Sequence, residues 1–294
     1  NLASEDDNIT ATDEMYAALE FTVQNSKGEY LVLTQKDATT GAYAYSSVTA
    51  NKEDGTKIKL GTTSHKAFIA DLPIDTYTIT ELIDTSIYTI DSATKTVTTY
   101  QKETAKVNFI NTELAGELNL YKSALGNNVA GIKFYITGKS ATGRDIYMEG
   151  VTDDNGEIVL DNIPIGTYTL YEEGSTVPAG FLTCDPQDVT IKFNEETLVD
   201  VVNEPMKGHV TVKKTTTDGN VIKISGIEFT LTGTPKVGGD VITLKATTDE
   251  NGECFFKDLP IGTYTLLESG NIPVGYITAD NQEVNIEYDK TITV

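Results

Sequence analysis

The sequence predicts an all-β protein made of three β-sandwiches in tandem, and three observations carry that prediction. The chain repeats itself over whole domains, apolar and polar residues alternate in short runs, and turn signatures recur at roughly ten-residue intervals. The string DNIPIGTYTLYEEGSTVPAGFLTCDPQDVTIKF (161–193) returns as KDLPIGTYTLLESGNIPVGYITADNQEVNIEY (257–288), and a shorter copy, ADLPIDTYTITEL, begins at Ala70. Glu81 and Glu172 stand 91 positions apart, Glu172 and Glu268 96, and both Lys122 and Lys214 and Asn111 and Asn203 92. A period of this length exceeds a solenoid repeat and fits whole domains in series.

Breaks fall near NTELAG (111–116) and NEPMKG (203–208), where Pro, Gly and polar residues interrupt strand-like runs, so the expected domains are 1–113, 114–206 and 207–294. In the first, ALEF precedes Glu81 by 60 residues, whereas GIKF and GIEF precede Glu172 and Glu268 by 38 and 39. The difference is an insertion, and YLVLTQKDATTGAYAYSSV (30–48) is expected to form an extra hairpin there. Asp75 also replaces the glycine found at Gly166 and Gly262. In the second domain GELNLYK, KFYIT, GTYTLYE, VTIKF and VDVVNEP alternate apolar with polar residues and are rich in β-branched and aromatic side chains, as half-buried strands are. The third repeats this order from GHVTVKK onward. Helical periodicity is hard to find.

Composition narrows the function. With 22 basic and 44 acidic residues the net charge is −22, so nucleic acid would be repelled. No apolar run reaches the length of a membrane helix, and NLASEDDNIT does not resemble a secretion signal, which leaves a cytosolic protein or one whose signal has been removed. The two cysteines, Cys184 and Cys254, fall in different domains, which argues against a disulfide framework.

Strand parity selects the residues that carry chemistry. Leu118, Leu120 and Lys122 share a face, as do Val210, Val212 and Lys214; Tyr168, Leu170 and Glu172 share one, as do Tyr264, Leu266 and Glu268; Val199, Val201 and Asn203 share another. Each polar group closes a row of core side chains. A lysine turned inward without partners would be costly, so Lys122, Glu172 and Asn203 are expected to meet inside one sandwich. Parity alone leaves two outcomes open, a buried ion pair with an asparagine hydrogen bond or a reactive triad.

These residues resemble the collagen-adhesin B-type domains, also called SpaA-like or prealbumin-like, of Gram-positive pilins and surface adhesins. The pattern of a G-x-x-x-x-x-K strand, a D-x-x-G hairpin, L-P-x-G-x-Y-x-L-x-E, P-x-G-Y and a terminal V-x-N is matched by Lys122, Gly156, Tyr168, Glu172, Gly180 and Asn203, with Phe181 replacing the tyrosine. The resemblance implies a prealbumin-like (inverse-immunoglobulin) fold and an autocatalytic isopeptide bond between Lys122, on an edge strand, and Asn203, with Glu172 as the catalytic residue. It implies the same for Lys214 with Glu268, whose asparagine falls about two residues past Val294, and for Glu81 with Asn111, whose lysine falls within the first ten residues or upstream. Either the chain is a section of a longer array or other molecules complete its end strands. An apolar interior would lower the lysine pKa and raise that of the glutamate, so that neutral amine and acid coexist. Such a protein is structural, not an enzyme, sits outside the cell in a surface fibre, and has other subunits or domains and a host matrix ligand as partners, with no cofactor, metal, nucleic acid or membrane insertion. Neither an LPxTG nor a YPKN-like motif is present.

Other features are expected to be bland. DDNGE (153–157) and DENGE (249–253) fit hairpin turns better than calcium loops. His65 and His209 are isolated, Cys254 matches Ile158 on a core strand, and Cys184 matches Ala279 in a loop. The acidic stretch EDDNITATDE (5–14) is expected to be a solvated arm, with strand donation as the alternative. Two further functions compete: ligand binding through Tyr43 and Tyr45 of the inserted hairpin, and a transthyretin-like accessory module of a secreted enzyme.

Overall fold

The computed structural model describes residues 11–216 and 224–294. The second unit is a sandwich of two sheets. One places the lysine strand, Ala115–Ala124, between Glu157–Pro164, antiparallel, and Glu196–Asn203, parallel, with Asn127–Asn128 folding back on its end. The other runs in the order Asp145–Val151, Lys133–Ser140, Gly166–Glu172, Gln187–Ile191. Leu118, Leu120, Ile132, Phe134, Ile136, Tyr168, Leu170 and Ile191 fill the space between them. The lysine strand is thus interior to its sheet and not the edge strand expected; the asparagine strand lies at the edge.

The third unit repeats this plan. Lys207–Lys213 lies between Glu253–Pro260 and Thr291–Thr293, facing a sheet in the order Ile242–Thr247, Glu228–Pro235, Gly262–Gly270, Gln282–Ile286. Val210, Val212, Phe229, Leu231, Cys254 and Leu266 form its core, with Cys254 buried as its match to Ile158 suggests.

The first unit differs. Its large sheet runs Phe68–Ala70, Ala42–Thr49, Tyr30–Asp37, Glu20–Gln24, Thr76–Leu82, Thr94–Thr98, with Ile58–Lys59 also on Glu20–Gln24; Tyr88–Ile90 pairs separately with Asn111–Glu113. The expected hairpin forms: Tyr30 at the start of its first strand and the short Ile58–Lys59 pair with Glu20–Gln24 where Asp145–Val151 pairs with Lys133–Ser140, and Ala42–Thr49 is added outside Tyr30–Asp37. Tyr43 points into the core, 4% exposed, and its hydroxyl bonds the backbone of Lys59. Tyr45 packs against the same core, so neither tyrosine offers the open ring face that surface ligand binding requires. A five-residue α-helix, Asp13–Ala17, capped by Thr12, is an element that strand alternation does not reveal. The predicted arm at 5–14 lies partly, and the predicted lysine and first strand of this unit lie wholly, outside the described residues.

Motif residues acquire physical reasons. The tyrosine hydroxyls of Tyr77, Tyr168 and Tyr264 donate to the carbonyls of Pro73, Pro164 and Pro260, four residues earlier, at 2.9, 2.6 and 2.9 Å, pinning each Pro-containing corner to its strand. At Gly116 a Cβ would stand 2.2 Å from the Lys192 carbonyl oxygen, and at Gly208 2.2 Å from that of Glu287, so this first motif position has no room for a side chain. Both DxNG segments are turns: Asp153 accepts the N–H groups of Asn155 and Glu157, and Asp249 those of Asn251 and Glu253.

Candidate functional site

Three strands converge on one buried point in the second unit. The glutamate strand sets Glu172 opposite Phe134, and the parallel pairing sets Lys122 beside Val201 and Ala124 beside Asn203. Lys122 and Asn203 therefore lie two register positions apart on neighbouring strands, both turned toward the facing sheet. Gly156 helps fix the lysine: its carbonyl accepts the Lys122 N–H at 2.7 Å, and its left-handed backbone (φ 76°) leaves room for the Lys122 carbonyl, which a Cβ would meet at 2.4 Å.

Lys122 is 1%, Glu172 8% and Asn203 2% exposed. Lys122 Nζ stands 3.9 Å from Glu172 Oε1 and donates to the Ser123 carbonyl at 2.7 Å. Asn203 Nδ2 donates to Glu172 Oε2 at 2.8 Å, and the same oxygen accepts the Cys184 N–H at 2.7 Å. Glu172 Oε1 and Asn203 Oδ1 are buried with no hydrogen-bond partner. Unsatisfied polar atoms of this kind are rare in folded proteins, and here two belong to side chains hydrogen-bonded to each other, with the Lys122 amine 3.9 Å from one of them. Burial pulls the Lys122 pKa down against the opposing pull of Glu172. The Cys184 thiol, half-buried next to Glu172, is pushed up to about 11, chiefly by burial.

The other two sites are partial. In the third unit Lys214 Nζ lies 3.0 Å from Glu268 Oε1 and donates to Oε2 at 3.2 Å, while the Ala279 N–H donates to Oε2 at 2.8 Å, as Cys184 does to Glu172. Register corrects the expected place of its asparagine. Leu118 pairs with Thr197 and the equivalent Val210 with Ile292. Because Asn203 stands six positions after Thr197, the matching position is four residues past Val294, not two. In the first unit Asn111 Nδ2 donates to Glu81 Oε1 at 2.8 Å, leaving Glu81 Oε2 and Asn111 Oδ1 without partners. Burial raises the Glu81 pKa, partly offset by the Asn111 hydrogen bond. All three glutamates sit opposite a phenylalanine: Phe21, Phe134 and Phe229.

Sequence reasoning missed the backbone donors at Cys184 and Ala279, 12 and 11 positions after their glutamates, since an N–H leaves no residue-type signature. The histidines stay apart: His65 stacks on Tyr16 and bonds Asp13, and His209 accepts the Asp258 N–H. Among the described residues no group of His, Cys, Asp and Glu is arranged to hold a metal ion, and no helix is long and apolar enough to cross a membrane.

No curated protein sequence matches the chain. Among solved structures it is similar to the Bacillus anthracis TIE protein, with 23% identity over 99% of this chain and a TM-score of 0.54, and it spans about half, 48%, of that protein. GBS52, the minor pilin of Streptococcus agalactiae, aligns at 16% identity over 61% of this chain and 94% of its own, TM-score 0.28. The shaft pilin SpaA of Lactobacillus rhamnosus GG aligns at 16% over 60% and 96%, TM-score 0.27. The SpaA prealbumin-like fold domain matches residues 116–205 and again 208–294, the two units whose sheets and lysine–glutamate pairs repeat each other. The chain belongs to the SpaA prealbumin-like domain family.

Proposed function

We propose that this chain is a load-bearing section of an extracellular fibre on a Gram-positive cell, a pilus shaft or adhesin stalk, divided into domains at 1–113, 114–206 and 207–294, whose middle domain closes an isopeptide bond between Lys122 and Asn203. The observation that carries the proposal is the burial of amine, acid and carboxamide at one point, with Glu172 Oε1 and Asn203 Oδ1 unpartnered. A structural ion pair would satisfy both atoms; a reaction centre leaves them for the transition state.

The chemistry follows from the geometry. Burial disfavours the Lys122 ammonium, which gives up a proton to the Glu172 carboxylate beside it. A half-turn of the Asn203 carboxamide brings Oδ1 to the protonated acid, which polarises the carbonyl by donating to it. The amine lone pair attacks Cγ, forming the C–N bond. Glu172 carries a proton from Nζ to Nδ2, the Cγ–Nδ2 bond breaks, and ammonia leaves. Holding amine and carboxamide on adjacent strands replaces a bimolecular encounter, an effect worth about 7–11 kcal/mol of barrier. The reaction runs once per domain, so the protein is its own single-use substrate and not an enzyme. Glu268 with Lys214 and Glu81 with Asn111 would act likewise when their third partner is supplied.

Intact mass spectrometry of the native chain tests this. The expected mass is one ammonia below that of the sequence, with peptide mapping yielding a branched product joining the Lys122 and Asn203 peptides. An unmodified mass, with both peptides linear, overturns the proposal and leaves a buried ion pair.

A further inference from the structure

The second and third units present opposite chemistry on one and the same backbone. On the sheet that holds the lysine strand, outward side chains fall into rows that cross three strands. In the second unit one row is Glu117, Glu196 and Asp161, the last in the bulge opposite Glu117. The next row is Val159, Asn119 and Leu198, and the next Glu157, Tyr121 and Asp200. No lysine or arginine pairs with any of these carboxylates among the described residues. Glu117 and Glu196 are direct register partners, and like charges so placed repel each other. Asn119 donates to Glu196, and its own Oδ1 is buried without a hydrogen-bond partner. The fold therefore carries a patch of negative charge that a cation from outside would relieve.

The third unit reverses that row. At the positions of Asp161, Glu117 and Glu196 stand Lys257, His209 and Thr291, with Lys257 in the corresponding bulge. Lys257 has no acidic partner among the described residues, whereas the nearby Lys213 pairs with Glu253 at 3.6 Å. His209 Nδ1 accepts the Asp258 N–H at 3.1 Å, which puts the ring proton on Nε2. These side chains and Phe255 line a shallow depression of about 320 Å³. Phe255 is 52% exposed and takes the place of Val159; across the row from Val159 lies Leu198, 63% exposed.

We propose that the outer face of the second unit docks side by side on the outer face of the third unit of another copy, with Asp161, Glu117 and Glu196 set against Lys257 and His209. Charge complementarity selects this occupant. Carboxylates of one face meet an ammonium and an N–H on the other, and the apolar row of Val159 and Leu198 covers Phe255. Each copy carries a net charge of −22, but at about 0.15 M salt that long-range repulsion is screened beyond about 8 Å, while the facing rows meet in contact. The contact joins unlike faces, so it is heterologous and leaves each copy one face for a further neighbour. It is independent of the proposed crosslink, since Lys122 and Asn203 point to the opposite side of the same sheet.

A charge swap tests it. Asp161→Lys gives a full chain with lysine on both faces, and Lys257→Asp one with a carboxylate on both. Sedimentation velocity follows the average mass of each across a concentration series at about 0.15 M sodium chloride. The wild type is expected to gain mass with concentration, each variant alone to associate about tenfold more weakly, and an equal mixture of the two to regain wild-type association, because each then meets its opposite. Carbodiimide coupling between isotopically distinct wild-type chains is expected to join the Lys257 peptide to one containing Asp161, Glu117 or Glu196. Circular dichroism confirms that the variants fold. A wild type that stays monomeric overturns the proposal and leaves the two faces to different partners. Variants that associate as the wild type does, or a mixture that associates no better than its components, overturn it as well.

Discussion

Replacing Glu172 by glutamine isolates the acid while changing almost no volume. Glutamine keeps an acceptor and a donor in the pocket but cannot pass a proton from Lys122 to the departing ammonia, so the bond between Lys122 and Asn203 does not form. The proposed crosslink would close 81 residues, and the chain-entropy relation for a loop of that size gives about 4.5 kcal/mol of lost unfolded-state freedom. For a unit of about ninety residues, each kcal/mol shifts the midpoint by about 4–8 °C, so the middle transition is expected to fall by roughly 20–35 °C. Scanning calorimetry of the wild type and Glu172→Gln, paired with intact mass, reads both effects: an added ammonia in mass and one displaced transition, with the others in place. The reasoning fails if the variant carries the same branched peptide as the wild type, or if it lacks the bond yet melts at the wild-type temperature.

Three more outcomes follow from the geometry. Gly116→Ala forces a Cβ against the Lys192 carbonyl and is expected to destabilise the second unit by about 1–3 kcal/mol in urea titration, with Gly208→Ala doing the same to the third. Burial raises the Glu81 pKa above its unfolded value, so the folded first unit holds that proton more tightly; its stability is fullest below the unfolded pKa and declines as pH rises through the folded one. Glu81→Gln, which is neutral throughout, is expected to flatten that decline in pH-dependent melting. Arg144→Gln strips the partner from Glu113, whose side chain is only 8% exposed, and is expected to cost about 3 kcal/mol and to speed proteolysis between the first and second units.

Much of this site was legible because β-strands alternate. Lys122, Glu172 and Asn203 each end a row of apolar residues, and a period of two sends all three inward, where they are found buried. The glutamates opposite Phe21, Phe134 and Phe229 were likewise visible in the spacing of the repeats. What stayed hidden depends on partners distant in sequence or on backbone geometry. Nothing in Ala115–Ala124 says that it lies between two strands and not at an edge, because sheet order is decided by pairing with Glu157–Pro164 and Glu196–Asn203. Tyr43 and Tyr45 looked like surface rings because an inserted hairpin has no matching copy from which to infer its inner face. The third unit's asparagine position, by contrast, was legible and miscounted: VTIKF (189–193) and VNIEY (284–288) stand 95 positions apart, which carries Asn203 four residues past Val294, as the strand register also does.

The parallel placement of Ala115–Ala124 beside Glu196–Asn203 determines how much length the middle unit can surrender. Tension on the chain enters at one end of the first strand and leaves at the far end of the other. An unlinked sandwich that ruptured would pay out the whole stretch from Lys122 to Asn203, about 270 Å of extended chain. With the proposed bond closed, the same stretch would hang as a slack side loop off a short taut path, and a fibre of such units would behave as an inextensible cord and not as a shock absorber.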